Sequence, residues 1–470
     1  MTKKYHIPTK RVPGRIKPIG KFMLIRDSEC INCGLCIETC VFGVHERDKN
    51  DVRLMSDPLN HLCKNCFACV RNCPKFSLQM IVNPNFKAIG NNFINPDSVL
   101  NLFSQAETGK IPVFGSGYKG IFADIGFDSI WTDMSEIVRP TRDGIHGREY
   151  ISTSIDLGRK LPDLTSLDFY PDGRLKSNIP PTREIPLPIL FSYSWDKPVK
   201  SKIITAISMA ATLLGIFTRV DYDLFTDDLK PYINHLIFGF NKKLGKDKEI
   251  IRNLSLLEFN NLKSTFDSIS QVKSINPHIL TIIKLDAKKA SYNPEILFEL
   301  VEKGAEIIHI SMKRNTKNIK EQEVEFIDSI SRIHKKLVEK GVRDRITILA
   351  SGPITLAEHV VKTIILGADG VIIDMPVLIA LECLGCNACQ RDEKCPSDLD
   401  NINVRWGAQR IINLMASWHS QMLEVLGAMG MRDIRRLRGE IGRAMFFKDL
   451  EKEIFEPIFK KNKQSKKGQK

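Results

Sequence analysis

The chain has 470 residues, 43% hydrophobic and 26% charged, with 69 Lys and Arg against 55 Asp and Glu for a formal net charge of +14. That balance describes a globular chain of two or three domains and excludes a disordered or fibrous polymer. The longest apolar run (203–217) is shorter than a bilayer span and suits a buried helix, and the N-terminus lacks the apolar core of a secretory signal, so a cytoplasmic location is expected.

Residues 1–20 form a basic arm and 456–470 a basic tail (KKNKQSKKGQK at its end), both expected to be solvated. Their charge alone would suit a polyanion, but no zinc finger, RNA-binding signature or recognition helix accompanies it, so no nucleic acid is expected. A basic surface facing an acidic redox partner, such as a ferredoxin or another electron-transfer subunit, agrees better with the cysteines.

All twelve cysteines fall in three groups. The first two lie in a domain expected over 21–85: CINCGLCIETC carries Cys30, Cys33, Cys36 and Cys40, and CKNCFACVRNCP carries Cys63, Cys66, Cys69 and Cys73. C-x2-C-x2-C-x3-C lets the chain curl round one corner of an iron–sulfur cube, each thiolate reaching a different iron. In two-cluster ferredoxins the fourth cysteine of each run ligates the other cluster. Cys30, Cys33, Cys36 and Cys73 are therefore assigned to one [4Fe–4S] cluster, and Cys63, Cys66, Cys69 and Cys40 to a second. Paired zinc sites would place two ligand pairs a dozen or more residues apart, which this pattern does not do. Pro74 follows Cys73 as the pattern expects, whereas Val41 follows Cys40.

Residues 86–180 are expected to connect this unit to a larger one. GSGYKG (115–120) is read as a turn because no helical pattern follows it. Arg139, Arg142 and Arg148 are read as an ion-paired linker, Trp131 and Trp195 as core, and His146 and His309 as structural, since neither histidine has metal-ligand spacing. From residue 187 onward, short apolar runs alternate with helical stretches: LPILFSY (187–193), INHLIFG (233–239), TIIKLD (281–286), EIIHIS (306–311), ITILAS (346–351) and GVIID (370–374). Such runs suit parallel strands buried on both faces. Strand–helix repetition over 181–455 points to a (β/α)8 TIM-type barrel, with an open α/β sheet as the alternative. The third cysteine group, CLGCNACQRDEKCP, follows the last run with Cys383, Cys386, Cys389 and Cys395. It parses as C-x2-C-x2-C-x5-C, or as C-x5-C-x5-C with Cys386 left over, and zinc is its rival ligand.

Several of these stretches resemble the glutamate synthase FMN-domain family in its short form, fused to a two-[4Fe–4S] ferredoxin module. GADGVIIDMPVLIALECLGCNACQRDEKCP is similar to that family's last barrel strand running into its cluster loop. ITILASGPITLAEHVVKTIILGAD, TIIKLD, EIVRPTRDGIHGREYISTSIDLGRK and EVLGAMGMRDIRRLRGEIGRAMF resemble the segments around it. The resemblance implies a third cluster, [3Fe–4S] on Cys383, Cys389 and Cys395, or [4Fe–4S] if Cys386 joins them. It further implies FMN at the barrel mouth, with flavin contact at Ser192 and Tyr193, phosphate near Ser351 and Gly352, and Lys284 beside the ring. In the residues themselves Lys284 has a second reading, as a strand-capping lysine paired with Asp286.

The chain departs from the family pattern where glycines should stand. The loop after the first barrel helix is TRVDYDLFTDD (218–228), the family's His-Asp-Gly-Gly stretch is SMKRNTKN (311–318), and the second phosphate glycine is Asp374. Pro353 removes a donor N–H from the first phosphate loop. Two functions are therefore expected to compete: reductive amination of a 2-oxo acid, by electrons passed from the ferredoxin clusters through the third cluster to FMN, and electron transfer by a subunit with a degenerate barrel.

Overall fold

The structure is a computed structural model. It describes all residues except 1–4, 18, 92, 112–125, 133–150, 161–167, 177–179, 194–200, 261–264, 314–318, 392, 447–448 and 450–470. The GSGYKG turn, Arg139, Arg142, Arg148, His146, Trp195 and the basic tail lie outside the described residues.

The N-terminal unit is an antiparallel pair, β1 (Phe22–Arg26) and β2 (Leu78–Val82), with Phe22 opposite Val82 and Arg26 opposite Leu78. Between them run the helices Leu35–Thr39 and Ala68–Arg71. Its own core is small, built on Leu24, Val44, Cys69 and Leu78, with further cysteines packed against it. So small a set of apolar side chains stabilises a fold weakly unless something else ties it together. Two strands and two short helices make it an α+β unit.

The connecting segment turns out to be part of the larger body. Its helix Pro96–Thr108 packs against the long helix Val404–Ala428, and Val99, Leu102 and Ala106 enter the main core. The edge strand β3 (Ile130–Thr132) leaves Trp131 37% exposed, so the reading of that tryptophan as core is corrected. A hairpin, β4 (Ile155–Gly158) with β5 (Thr182–Ile185), closes the N-terminal end of the barrel. There Thr347 Oγ1 donates to the Gly158 carbonyl at 2.9 Å, and Ile155 packs on Gly370.

Eight parallel strands form the closed barrel: β6 (Ile189–Phe191), β7 (Thr218–Val220), β8 (Leu236–Gly239), β9 (Leu256–Phe259), β10 (Leu280–Asp286), β11 (Ile307–Ser311), β12 (Thr347–Ser351) and β13 (Gly370–Ile373). Closure is made by β13 on β6, with Val371 opposite Ile189. Nearly every strand residue is buried, as strands covered on both faces must be. Six strands lie where apolar runs predict them. β7 and β9 escape that pattern because Arg219 and Glu258 interrupt runs of three or four residues. The stretch from 218 is therefore a strand leading into a short helical turn, and not simply a loop. A last strand, β14 (Ala444–Phe446), pairs with β3. The apolar run at 203–217 becomes the helix Ser201–Leu214 against the barrel, and among the described residues no helix is long and apolar enough to cross a membrane.

The N-terminal arm is mostly exposed, as expected, but its backbone is tied to the long C-terminal helix. The fully buried Asn413 donates to the carbonyls of Lys10 (2.7 Å), Ala106 (3.0 Å) and Glu107 (3.1 Å), and accepts from the Lys10 N–H. Trp406 Nε1 donates to the Pro13 carbonyl, and Arg410, also buried, donates to Val12 and Ala380 carbonyls. Asn413→Ala removes the donor to the Lys10 and Ala106 carbonyls and the acceptor of the Lys10 N–H, and should destabilise the fold by about 1–3 kcal/mol. Chemical unfolding measures that loss, and limited proteolysis should then cut the released arm first.

Candidate functional site

The C-terminal ends of the barrel strands open on a cavity of about 370 Å³. Its floor is made by Ser192 after β6, Arg219 on β7, Lys284 on β10, His309 on β11, Ser351 at the end of β12 and Asp374 after β13; its wall is the third cysteine run. Strand ends of a barrel converge on one point from different parts of the chain, which is why sites assemble there.

A buried polar chain crosses this floor. Arg219 Nε donates to Glu258 Oε1 at 2.8 Å, Glu258 Oε2 lies 2.9 Å from His309 Nδ1, and His309 Nε2 lies 2.8 Å from Ser351 Oγ. Ser351 Oγ also meets Ser311 Oγ at 3.1 Å. Burial would raise the Glu258 carboxyl, but the hydrogen bond from His309 and the charges of Arg219 and Lys284 outweigh it and hold the pKa at about 2. Burial lowers His309 despite Glu258, so the imidazole is neutral, donating from Nδ1 to the carboxylate and accepting at Nε2. Burial also lowers Lys284, with Glu258 opposing. The chain can take up a proton from a group placed against Ser351, the imidazolium then resting on an ionised carboxylate.

Of the flavin-side residues expected from the sequence, Ser192, Lys284, Ser351 and Gly352 line the cavity. Tyr193 does not: its side chain is buried and its hydroxyl accepts the Asp221 N–H at 2.8 Å. Lys284 is not the partner of Asp286, which caps a helix by accepting the Lys289 N–H. His309, read as structural, stands on the cavity floor. Arg219 and Glu258 were not found from the sequence; the signal was there, since a charge in the middle of a strand demands a buried partner.

The structure also places the cysteines. Cys30, Cys33, Cys36 and Cys73 line one small cavity beside β1 and β2. Cys69 has Cys40, Cys63 and Cys66 for electrostatic neighbours, and burial together with those neighbours pushes its thiol up to about 11. Cys383, Cys386, Cys389 and Cys395 all line the barrel-mouth cavity; burial, and then the neighbouring thiols, push Cys383 up to about 12. Among the described residues no three His, Cys, Asp or Glu side chains are grouped as a single metal ion requires. The cysteines stand round spaces, and the N–H groups of Asn32 and Asn65 point at Cys30 and Cys63 Sγ, each at 3.4 Å. This donor set fits iron–sulfur clusters: thiolates round a gap, with backbone N–H groups on sulfur.

One position that the resemblance implies for the FMN phosphate is taken by the chain itself. The N-terminus of the helix Met375–Ala380, where a phosphate would sit, is capped by the Asp374 carboxylate accepting the Met375 N–H at 2.5 Å. Gly352 is explained by packing, since a Cβ there would lie 2.9 Å from the Phe326 ring. Only glycine lets the backbone pass so close, whatever binds nearby.

Fold and site thus define a parallel barrel with a four-cysteine loop at its mouth and a small cysteine-rich α+β unit at its N-terminus. The conserved region in glutamate synthase matches residues 249–432. An archaeal-type glutamate synthase [NADPH] of Dehalococcoides mccartyi is 26% identical, over 89% of this chain and 94% of that protein. An archaeal glutamate synthase [NADPH] of Archaeoglobus fulgidus is also 26% identical, over 93% of this chain and 96% of that one. A mandelate oxidase variant solved with an FMN adduct shares 15% identity at a TM-score of 0.38, over 65% of this chain and 98% of its own. Over about nine-tenths of its length, then, the chain is similar to archaeal-type glutamate synthases.

Glu258 is ionised to lower pH in the folded protein than in the unfolded chain. It therefore adds stability above the ordinary carboxylate value of about 4.3, and that stability is lost as pH falls toward 2. Glu258→Gln leaves Arg219 with Asp221 as its remaining charge partner and should cost about 1–3 kcal/mol at neutral pH. Denaturant titrations from neutral to acid pH should show the difference between variant and wild type shrinking as acid protonates Glu258 in the latter.

Proposed function

We propose that this chain is an iron–sulfur electron carrier built on the glutamate synthase barrel, passing electrons from two [4Fe–4S] clusters in its N-terminal unit to a third cluster at the barrel mouth. The observation that carries this reading is the third cysteine run forming a wall of the mouth cavity. The segment leaving the N-terminal unit supports it. The Gly90 N–H donates to the Leu384 carbonyl at 2.8 Å, Asn91 Nδ2 donates to Asn387 Oδ1 at 3.2 Å, and Phe93 lines the cavity. The peptide that ends the first unit is thereby bonded to the loop that would hold the third cluster. Asp374 capping its own helix favours a barrel without flavin, whose electrons continue to a ligand in the mouth or to a redox partner protein.

Lys284 and the likeness to proteins named glutamate synthase [NADPH] favour a second reading: FMN-dependent reductive amination of a 2-oxo acid. There a flavin would accept single electrons and deliver a hydride, and Lys284 would stabilise negative charge beside it.

Anaerobically purified protein should contain about eleven or twelve irons per chain, retain no FMN after incubation with it, and show its iron–sulfur absorption bleached by a reduced low-potential ferredoxin. One FMN per chain, together with glutamate formed from 2-oxoglutarate and ammonia, would overturn the first reading in favour of the second.

A further inference from the structure

We infer that Cys386 is the fourth ligand of a [4Fe–4S] cluster at the barrel mouth, which makes this site a ferredoxin-type cube and not a three-thiolate, three-iron centre. The inference rests on the three-cluster reading above and deepens it. Its basis is one backbone conformation occurring three times. Two residues after the first cysteine of each run the chain is left-handed: Asn32 (φ 54°), Asn65 (φ 59°) and Gly385 (φ 65°). Two residues further it is left-handed again: Gly34 (φ 82°), Phe67 (φ 60°) and Asn387 (φ 55°). In each run the residue at the first of these turns points its N–H at the Sγ of the first cysteine, at 3.4 Å for Asn32 and Asn65 and 3.5 Å for Gly385. In each, the third cysteine then enters a short helix: Leu35–Thr39, Ala68–Arg71 and Ala388–Arg391.

Two left-handed residues flanking one cysteine, several of them not glycine, are a sparsely populated arrangement that persists where surrounding chemistry demands it. The same dihedral pattern over the same spacing carries the middle cysteine to the same corner, so Cys386 stands in its run as Cys33 and Cys66 stand in theirs. A three-thiolate site on Cys383, Cys389 and Cys395 would give the turns at Gly385 and Asn387 nothing to do. What differs is the fourth thiol. Cys40 and Cys73 follow the third cysteine of their runs closely and serve the opposite cluster, whereas the chain after Cys389 folds back on itself. The Glu393 N–H donates to the Ala388 carbonyl at 3.0 Å, and Arg391 Nη1 donates to the Cys386 carbonyl at 3.2 Å. Cys395 thus returns to its own run, and the third site is complete without a cysteine from elsewhere. The loop also rests on a built foundation. Glu382, left-handed (φ 74°) and buried, accepts the Arg15 N–H at 2.8 Å and faces the buried Arg410.

The test is iron count with Mössbauer and electron paramagnetic resonance spectra on full-length protein purified without oxygen, as wild type and as Cys386→Ala. Wild type should hold about twelve irons, all in [4Fe–4S] form. Cys386→Ala should lose about one iron per chain and gain the half-integer-spin signal of an oxidised [3Fe–4S] cluster. The wild-type measurement needs no variant to fold. About eleven irons in wild type, with one [3Fe–4S] cluster per chain unchanged by the substitution, would overturn the inference while leaving three clusters in place. About eight irons, or one zinc per chain, would overturn the three-cluster reading and the inference with it.

Discussion

Four thiols gathered beside a barrel mouth, one of them buried enough for its pKa to rise to about 12, can be ionised together only if positive charge is placed among them. The rest of the structure answers to that constraint. The loop leaves the last barrel strand through a single short helix, so its position is set by the barrel. Glu382 at its start is held by Arg15 and Arg410, which ties the N-terminal arm and the long C-terminal helix to the same point. Gly90 is bonded to its far side, which ties in the N-terminal unit. A small cysteine-rich unit with few core residues and a large barrel thus meet at the third cysteine run.

At the barrel mouth the sequence lacks the glycines that the resemblance implies. Glycine lets backbone amides approach a phosphate or a flat ring. Here charged and hydroxyl side chains occupy the strand ends instead, and they satisfy each other: Arg219 with Glu258, Glu258 with His309, His309 with Ser351. Asp374 closes a helix end on itself. The result is a polar floor with an ionised carboxylate, a neutral imidazole and a half-buried lysine under a cysteine wall. Such a floor suits proton movement better than it suits the phosphate of a flavin.

How much of this was legible beforehand depends on the range of each interaction. The cysteine runs could be read directly, because ligands a few residues apart reach a cluster through local turns. Six barrel strands could be read because continuous burial leaves continuous apolar runs. β7 and β9 could not, and the reason is also why Arg219 and Glu258 were missed: the two charges meet across the barrel, 39 residues apart in the chain. His309 passed for a structural residue since its partners, Glu258 and Ser351, lie 51 and 42 residues off. The anchoring of the exposed basic arm could not be read because Asn413, which holds its backbone, is 403 residues from Lys10. Lys284 was placed at the mouth correctly, while its expected partner, Asp286, proved to be a helix cap.

The sequence by itself determined the cysteine groups, the alternation of strand and helix, and the loss of glycines at the mouth, all of them features of spacing and residue type within a short stretch. The tertiary structure alone decided which thiols share a space, which charges are paired, and that the third cysteine run faces the barrel mouth. Those are matters of closure: a barrel brings the ends of eight strands to one point, and no local pattern states which side chains will meet there.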